Sequence, residues 1–203
     1  MIAIVDYGMG NRRSVEKAFE HVGARPVLTA DHDVIRSADG VVVPGVGAFP
    51  EAMRRFRAAG LDDLIHERAD AGVPVLGLCL GMQLLFESSV EHEGATGLGL
   101  LAGRVTALKA KRVPHIGWNL VTFRRGSRLT DGLGDAAAFY HVHSFVCEPE
   151  DEADVVGLSE YGGERFVSIV ERGNVMGCQF HPEKSSRDGL ALLRNFTKVG
   201  VAA

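Results

Sequence analysis

The chain has 203 residues, 46% hydrophobic and 24% charged, with a formal net charge of −4. That length supports one domain with a full core and would leave two independent domains cramped, so residues 1–203 are expected to form a single domain. The mild negative charge gives no reason to expect nucleic acid or an anionic membrane as a partner, and no apolar run approaches the roughly 18 residues needed to span a bilayer.

Residues 2–5 are a predicted strand that meets Asp6 too early for a signal-peptide core. Three cysteines at scattered positions form no disulfide framework, so a reduced, cytoplasmic setting is expected. A turn through Asp6-Tyr7-Gly8-Met9-Gly10-Asn11 leads to a helix over 14–21, with Val15, Ala18, Phe19 and Val22 on one face. A strand over 41–43 ends in Pro44-Gly45-Val46-Gly47, and helices follow over about 50–59 and 61–71. The apolar run 73–78 reads as a buried strand leading to Cys79, and 82–87 as the opening of a helix. Repeated strand–helix units predict an α/β fold, mainly a parallel sheet flanked by helices.

Beyond about residue 100 the pattern turns to period two, with strands predicted over 105–108, 120–123, 138–147, 166–171 and 174–180. Hairpin punctuation at Arg125-Gly126, Tyr161-Gly162-Gly163 and Arg172-Gly173-Asn174 marks an added antiparallel portion. A last helix over 187–198 presents Leu190, Leu192, Leu193 and Phe196.

Gly77-Leu78-Cys79-Leu80-Gly81 sits between strand and helix, the thiol form of a nucleophile elbow. A helix N-terminus behind the sulfur favours thiolate. Acyl transfer also needs a base, an orienter and oxyanion donors. His181-Pro182-Glu183 supplies base and orienter, since residues two apart on an extended segment share a side. The N–H of Leu80 and one from Gly45-Val46-Gly47 suit the oxyanion. Cys147 and Cys178 lack an elbow and read as packing residues. His21, His32, His66 and His92 read as surface residues. His141 and His143 alternate on one strand without a third ligand at convincing spacing, so no metal is expected.

With these residues in place, the chain resembles the class I glutamine amidotransferases, and among them the family of glutaminase subunits of imidazole glycerol phosphate synthases. The likeness also rests on Pro44-Gly45-Val46-Gly47-Ala48-Phe49, His115-Ile116-Gly117-Trp118-Asn119, Val142-His143-Ser144 and Gln179-Phe180-His181-Pro182-Glu183-Lys184-Ser185. It implies hydrolysis of L-glutamine through a thioester on Cys79, with His181 and Glu183 completing the triad and the Val46 and Leu80 N–H groups holding the oxyanion. Gly47, Gln83, Glu91, Ser144 and Phe145 would grip the amino-acid end of glutamine. No cofactor is implied. Ammonia would pass to a (β/α)₈-barrel cyclase subunit docked against Met9, Asn11, Trp118 and Lys184.

Arg12 departs from the family's usual apolar residue, and His141 from its common Phe. The rival readings are a glutaminase for anthranilate, GMP or carbamoyl phosphate synthesis, a stand-alone cysteine peptidase or γ-glutamyl hydrolase, and a non-enzymatic binding subunit.

Overall fold

The first strand, β1 (Ile2–Val5), is buried on both sides: Ala3 and Val5 join one apolar cluster, Ile2 and Ile4 another. That is the signature of a strand inside a sheet covered on both faces. The structure, a computed structural model, describes residues 1–199. After β1 come α1 (Arg12–His21), β2 (Pro26–Thr29), α2 (His32–Arg36), β3 (Gly40–Gly45), α3 (Phe49–Ala58), α4 (Leu61–Asp70) and β4 (Val75–Cys79). Then follow α5 (Leu80–Leu84), β5 (Phe86–Ser89), β6 (Ala95–Thr96), β7 (Leu101–Ala107), β8 (His115–Phe123), β9 (Ala136–His143) and β10 (Phe145–Pro149). The chain closes with β11 (Val155–Tyr161), β12 (Glu164–Arg172), β13 (Val175–Cys178) and α6 (Ser186–Phe196).

The sheet runs β2-β1-β3-β4-β13-β12-β10-β7-β5-β6, with β11, β8 and β9 branching from β12. Pairing is parallel from β2 through β13 and mostly antiparallel beyond, so the mixed α/β expectation holds. Phe49, Phe56, Leu61 and Leu64 of α3 and α4 pack on one face, while Phe19, Leu192, Leu193 and Phe196 of α1 and α6 pack on the other.

Several predicted elements change on folding. The helix after Cys79 lasts only five residues before the chain re-enters the sheet at Phe86. The helix dipole expected behind the sulfur is correspondingly short. The single strand expected over 138–147 breaks at Ser144, where β9 leaves β8's side and β10 joins β7 and β12. The last strand ends at Cys178, and Pro182–Lys184 form a 3₁₀ turn. The structure adds β2, α2 and β11 to the elements read from sequence. The four residues of β2 and five of α2 carry too little periodicity to read; α2 is set by Asp31, whose side chain accepts from the Asp33 and Val34 amides.

The elbow is packed backbone to backbone. A Cβ on Gly81 would lie 1.8 Å from the Val43 carbonyl oxygen of β3, and one on Gly77 would lie 2.5 Å from the Gly81 oxygen. Gly81→Ala is expected to cost at least about 3 kcal/mol in urea unfolding, because backbone, not a flexible side chain, must yield. Gly126→Ala, with nothing near its Cβ, should stay within about 0.5 kcal/mol.

Candidate active site

Cys79 ends β4 with φ 54° and ψ −111°, a conformation that costs a side-chain-bearing residue about 1–3 kcal/mol. The turn lifts the sulfur off the sheet edge into a cavity of about 310 Å³. In parallel register, Gly45 of β3 lies beside Cys79, which brings Val46 and Gly47 to the same rim.

On the other side β13 pairs Cys178 with Leu78, so the chain beyond it passes the sulfur as Gln179 and His181. The His181 amide donates to the Tyr140 carbonyl (2.9 Å). The Ser185 hydroxyl donates to the His181 carbonyl (2.6 Å) and accepts from the Tyr140 amide (2.9 Å). His181 is therefore clamped to β9.

His181 Nδ1 is 2.9 Å from Glu183 Oε1. The contact closes within the 3₁₀ turn rather than along a strand, correcting the extended geometry expected from sequence. Burial alone would lower the imidazole pKa, but hydrogen bonds to Cys79 and Glu183 and the charges of both raise it to about 10. The ring thus favours imidazolium between sulfur and carboxylate. The other two thiols, Cys147 and Cys178, are pushed well above the ordinary value, chiefly by burial.

Cys79, His181, Val46, Leu80, Gly47, Gln83, Glu91, Ser144 and Phe145 all line this one cavity. Glu183 stands behind His181, its side chain almost fully buried. Gln83 Nε2 donates to the Phe145 carbonyl (3.2 Å) and to Gln179 Oε1 (3.1 Å). Glu91 Oε2 accepts from the Phe49 amide at the start of α3 (2.7 Å), so part of its carboxylate is already engaged.

The residues expected on a docking face divide. Lys184 lines the cavity. Met9 packs against Gly47, and Asn11 shares a small cavity with Val46 and Glu183. Trp118 lies outside the cavity, 55% exposed on β8 between the equally open Ile116 and Leu120. Arg12, the departing residue, turns back to ion-pair with Asp6 at the base of the N-terminal loop.

Sequence assigns no role to Gln179, His115, Pro114, Val142 or His143, although all but Pro114 stand in motifs that carry the family resemblance. Pro114, Val142 and His143 line the cavity, and Gln179 Nε2 lies 3.8 Å from the Cys79 sulfur. Gln179 stood inside a recognised motif, but nothing in that motif says which way its amide points. His115 joins His141 and His143 as a stacked aromatic cluster with Tyr161 and Phe166. Among the described residues, no three His, Cys, Asp or Glu side chains form a group able to hold a metal ion.

Burial, reinforced by the neighbouring histidines, depresses the His141 pKa to about 3. Burial is also the main cause lowering His143 to about 4. These groups are neutral when folded and ionise near 6.5 when unfolded. Their contribution is complete above pH ~6.5 and is lost as pH falls through the window towards the folded values. His141→Phe is expected to flatten the acid-side loss of unfolding free energy by about 1.4 kcal/mol per pH unit, measured by urea titration between about pH 6 and 4.5.

A family model described as class-I glutamine amidotransferase matches residues 3–199. The chain is 51% identical over 196 residues to the imidazole glycerol phosphate synthase subunit HisH of Moorella thermoacetica, covering 96% of this chain and 93% of that protein. It is 48% identical over 200 residues to the subunit of that name from Bacillus cereus (strain G9842), covering 98% and 95%. The structure of PurLQS from Thermotoga maritima shares the fold, with a TM-score of 0.78 over 97% of each chain at 20% identity.

Proposed function

The chain belongs to the class I glutamine amidotransferases, within the family of HisH subunits of imidazole glycerol phosphate synthase, and on that premise we propose that Cys79 breaks the side-chain amide of L-glutamine. The observation that carries the proposal is a strained, cavity-facing sulfur beside an imidazole whose far nitrogen is held by a buried carboxylate.

In this reading the Cys79 thiolate adds to the amide carbon, and the Val46 and Leu80 N–H groups receive the developing oxyanion. His181 gives its proton to the departing ammonia, leaving a γ-glutamyl thioester. The neutral ring, oriented by Glu183, then takes a proton from water as it attacks the thioester, and glutamate and free thiol are released. One glutamine and one water become glutamate and ammonia. Gly47, Gln83, Glu91, Ser144 and Phe145 are proposed to hold the amino-acid end. Their clustering around one cavity supports this.

The ammonia is proposed to pass within a cytoplasmic heterodimer to a (β/α)₈-barrel cyclase subunit, the lyase half of imidazole glycerol phosphate formation in histidine biosynthesis. The whole chain would act as one amidotransferase domain. The exposed stripe Ile116, Trp118 and Leu120 supports a docked partner, proposed to meet Met9, Asn11 and Lys184 as well. No helix among the described residues is long and apolar enough to cross a membrane. The glutaminases of other pathways and the peptidase reading are not favoured, because whole-chain relatives near 50% identity carry the HisH name.

Three measurements test the proposal. Cys79→Ala should lower glutamine hydrolysis by at least about 10³-fold, while added ammonium still drives synthesis in the complex. Retained glutaminase activity would sink the nucleophile assignment. Val46→Pro, which deletes one N–H, should reduce kcat by about 10²–10³-fold. The chain alone should hydrolyse glutamine slowly, and equal rates with and without the nucleotide-loaded cyclase would refute the coupling.

A further inference from the structure

The cavity wall contains a run of hydrogen bonds whose direction can be assigned from both ends. At the outer end, Asn119 Nδ2 donates to the Glu160 carbonyl (2.9 Å), which fixes the amide's orientation. The same nitrogen lies 3.4 Å from His115 Nε2, so that ring nitrogen must accept. His115 then carries its proton on Nδ1, 3.2 Å from His143 Nε2. His143 in turn carries its proton on Nδ1, which donates to the Phe145 carbonyl (3.0 Å). A carbonyl can only accept, so the inner end demands the same tautomers as the outer end.

The Phe145 carbonyl also receives Gln83 Nε2, whose second hydrogen goes to Gln179 Oε1. With its oxygen committed, Gln179 turns its amino group toward the Cys79 sulfur, 3.8 Å away. Gln179 is fully buried, so no water competes for the amide between Gln83 and the sulfur.

The geometry points to Gln179 as a donor to the Cys79 thiolate, held in that orientation by Gln83, whose amino group is fixed by the Phe145 carbonyl. The histidine run donates to the same carbonyl from its other side and ends there. Gln179 touches the reacting sulfur; Gln83 acts through it and is a positioning residue. A donor aimed at sulfur stabilises the anionic nucleophile over the thiol. Reversing Gln179 would instead present a carbonyl oxygen to the anion. This deepens the reading above and rests on Cys79 as the nucleophile.

The test reads the sulfur directly, through the pH dependence of Cys79 alkylation by iodoacetamide in the full-length chain. Cys79→Ala supplies the background from the two buried thiols. The other titratable groups facing the sulfur are His181, Lys184, Glu91 and His143 around the cavity, Tyr7, and the thiols Cys147 and Cys178. Gln179→Leu and His115→Phe alter none of these.

Gln179→Leu is expected to raise the midpoint of the alkylation profile by about one pH unit, slowing reaction at pH 7 by about tenfold. His115→Phe keeps a ring stacked on Tyr161 and is a packing control: the histidine run ends on the Phe145 carbonyl, so this variant should leave the midpoint in place. His141→Phe is a second control: it stacks on His115, and its Nδ1 donates to the Phe139 carbonyl. An unmoved profile for Gln179→Leu, or for Gln179→Met should the leucine variant not fold, overturns the donor role. An equal shift for His115→Phe or His141→Phe marks a packing disturbance and overturns it as well. Alkylation reports the sulfur whatever the substrate. A complex without glutaminase activity therefore refutes the substrate reading, while an unmoved profile with activity intact refutes only this inference.

Discussion

The site depends on one close approach between backbones. Cys79 adopts a positive φ that a side chain resists, and the turn survives because the segments around it lock together. Gly77 faces Gly81 across the turn, Gly81 faces the Val43 carbonyl, and Gly45 leaves room for Leu80. Any Cβ at these points would push the start of α5 off β3 and β4. The sulfur's elevation and the position of the Val46–Gly47 rim would then be lost together. Strain at the nucleophile and glycine in the neighbouring strand are two sides of one packing requirement.

Parallel register carries the argument from that turn to the rest of the site. β3, β4 and β13 run side by side and end at the same level, so residues 34 and 102 positions from Cys79 in sequence emerge at its sides. This is the general reason why chemistry gathers at the carboxyl edge of such sheets. The antiparallel portion supplies the opposite wall. By breaking at Ser144, the chain places Val142, His143, Ser144 and Phe145 around the sulfur and returns Tyr140 to clamp His181. The buried polar groups there would be costly unpaired, and the directed chain of amides and neutral imidazoles satisfies them.

The two halves also differ in how they face solvent. The parallel strands are covered by helices on both sides, whereas β8 alternates a buried His115 and Val121 with an open Ile116, Trp118 and Leu120. A strand with an exposed apolar face beside a catalytic cavity suits a subunit that works against another surface.

Residue pattern alone was enough for the strand–turn–helix around Cys79, the alternation of α and β in the first half and the shift to period two in the second. Each is a local signal: glycines flank the cysteine, and apolar spacing matches 3.6 or 2. The residues of the proposed triad stand out because their motifs are short and chemically unusual. The early end of α5, the break at Ser144 and the turn that joins His181 to Glu183 do not, since each is settled by strand pairing with distant residues. The role proposed for Gln179 is invisible in sequence for the same reason. A sequence names an amide or an imidazole, but the direction in which it donates is set only by the acceptors that the folded chain brings around it.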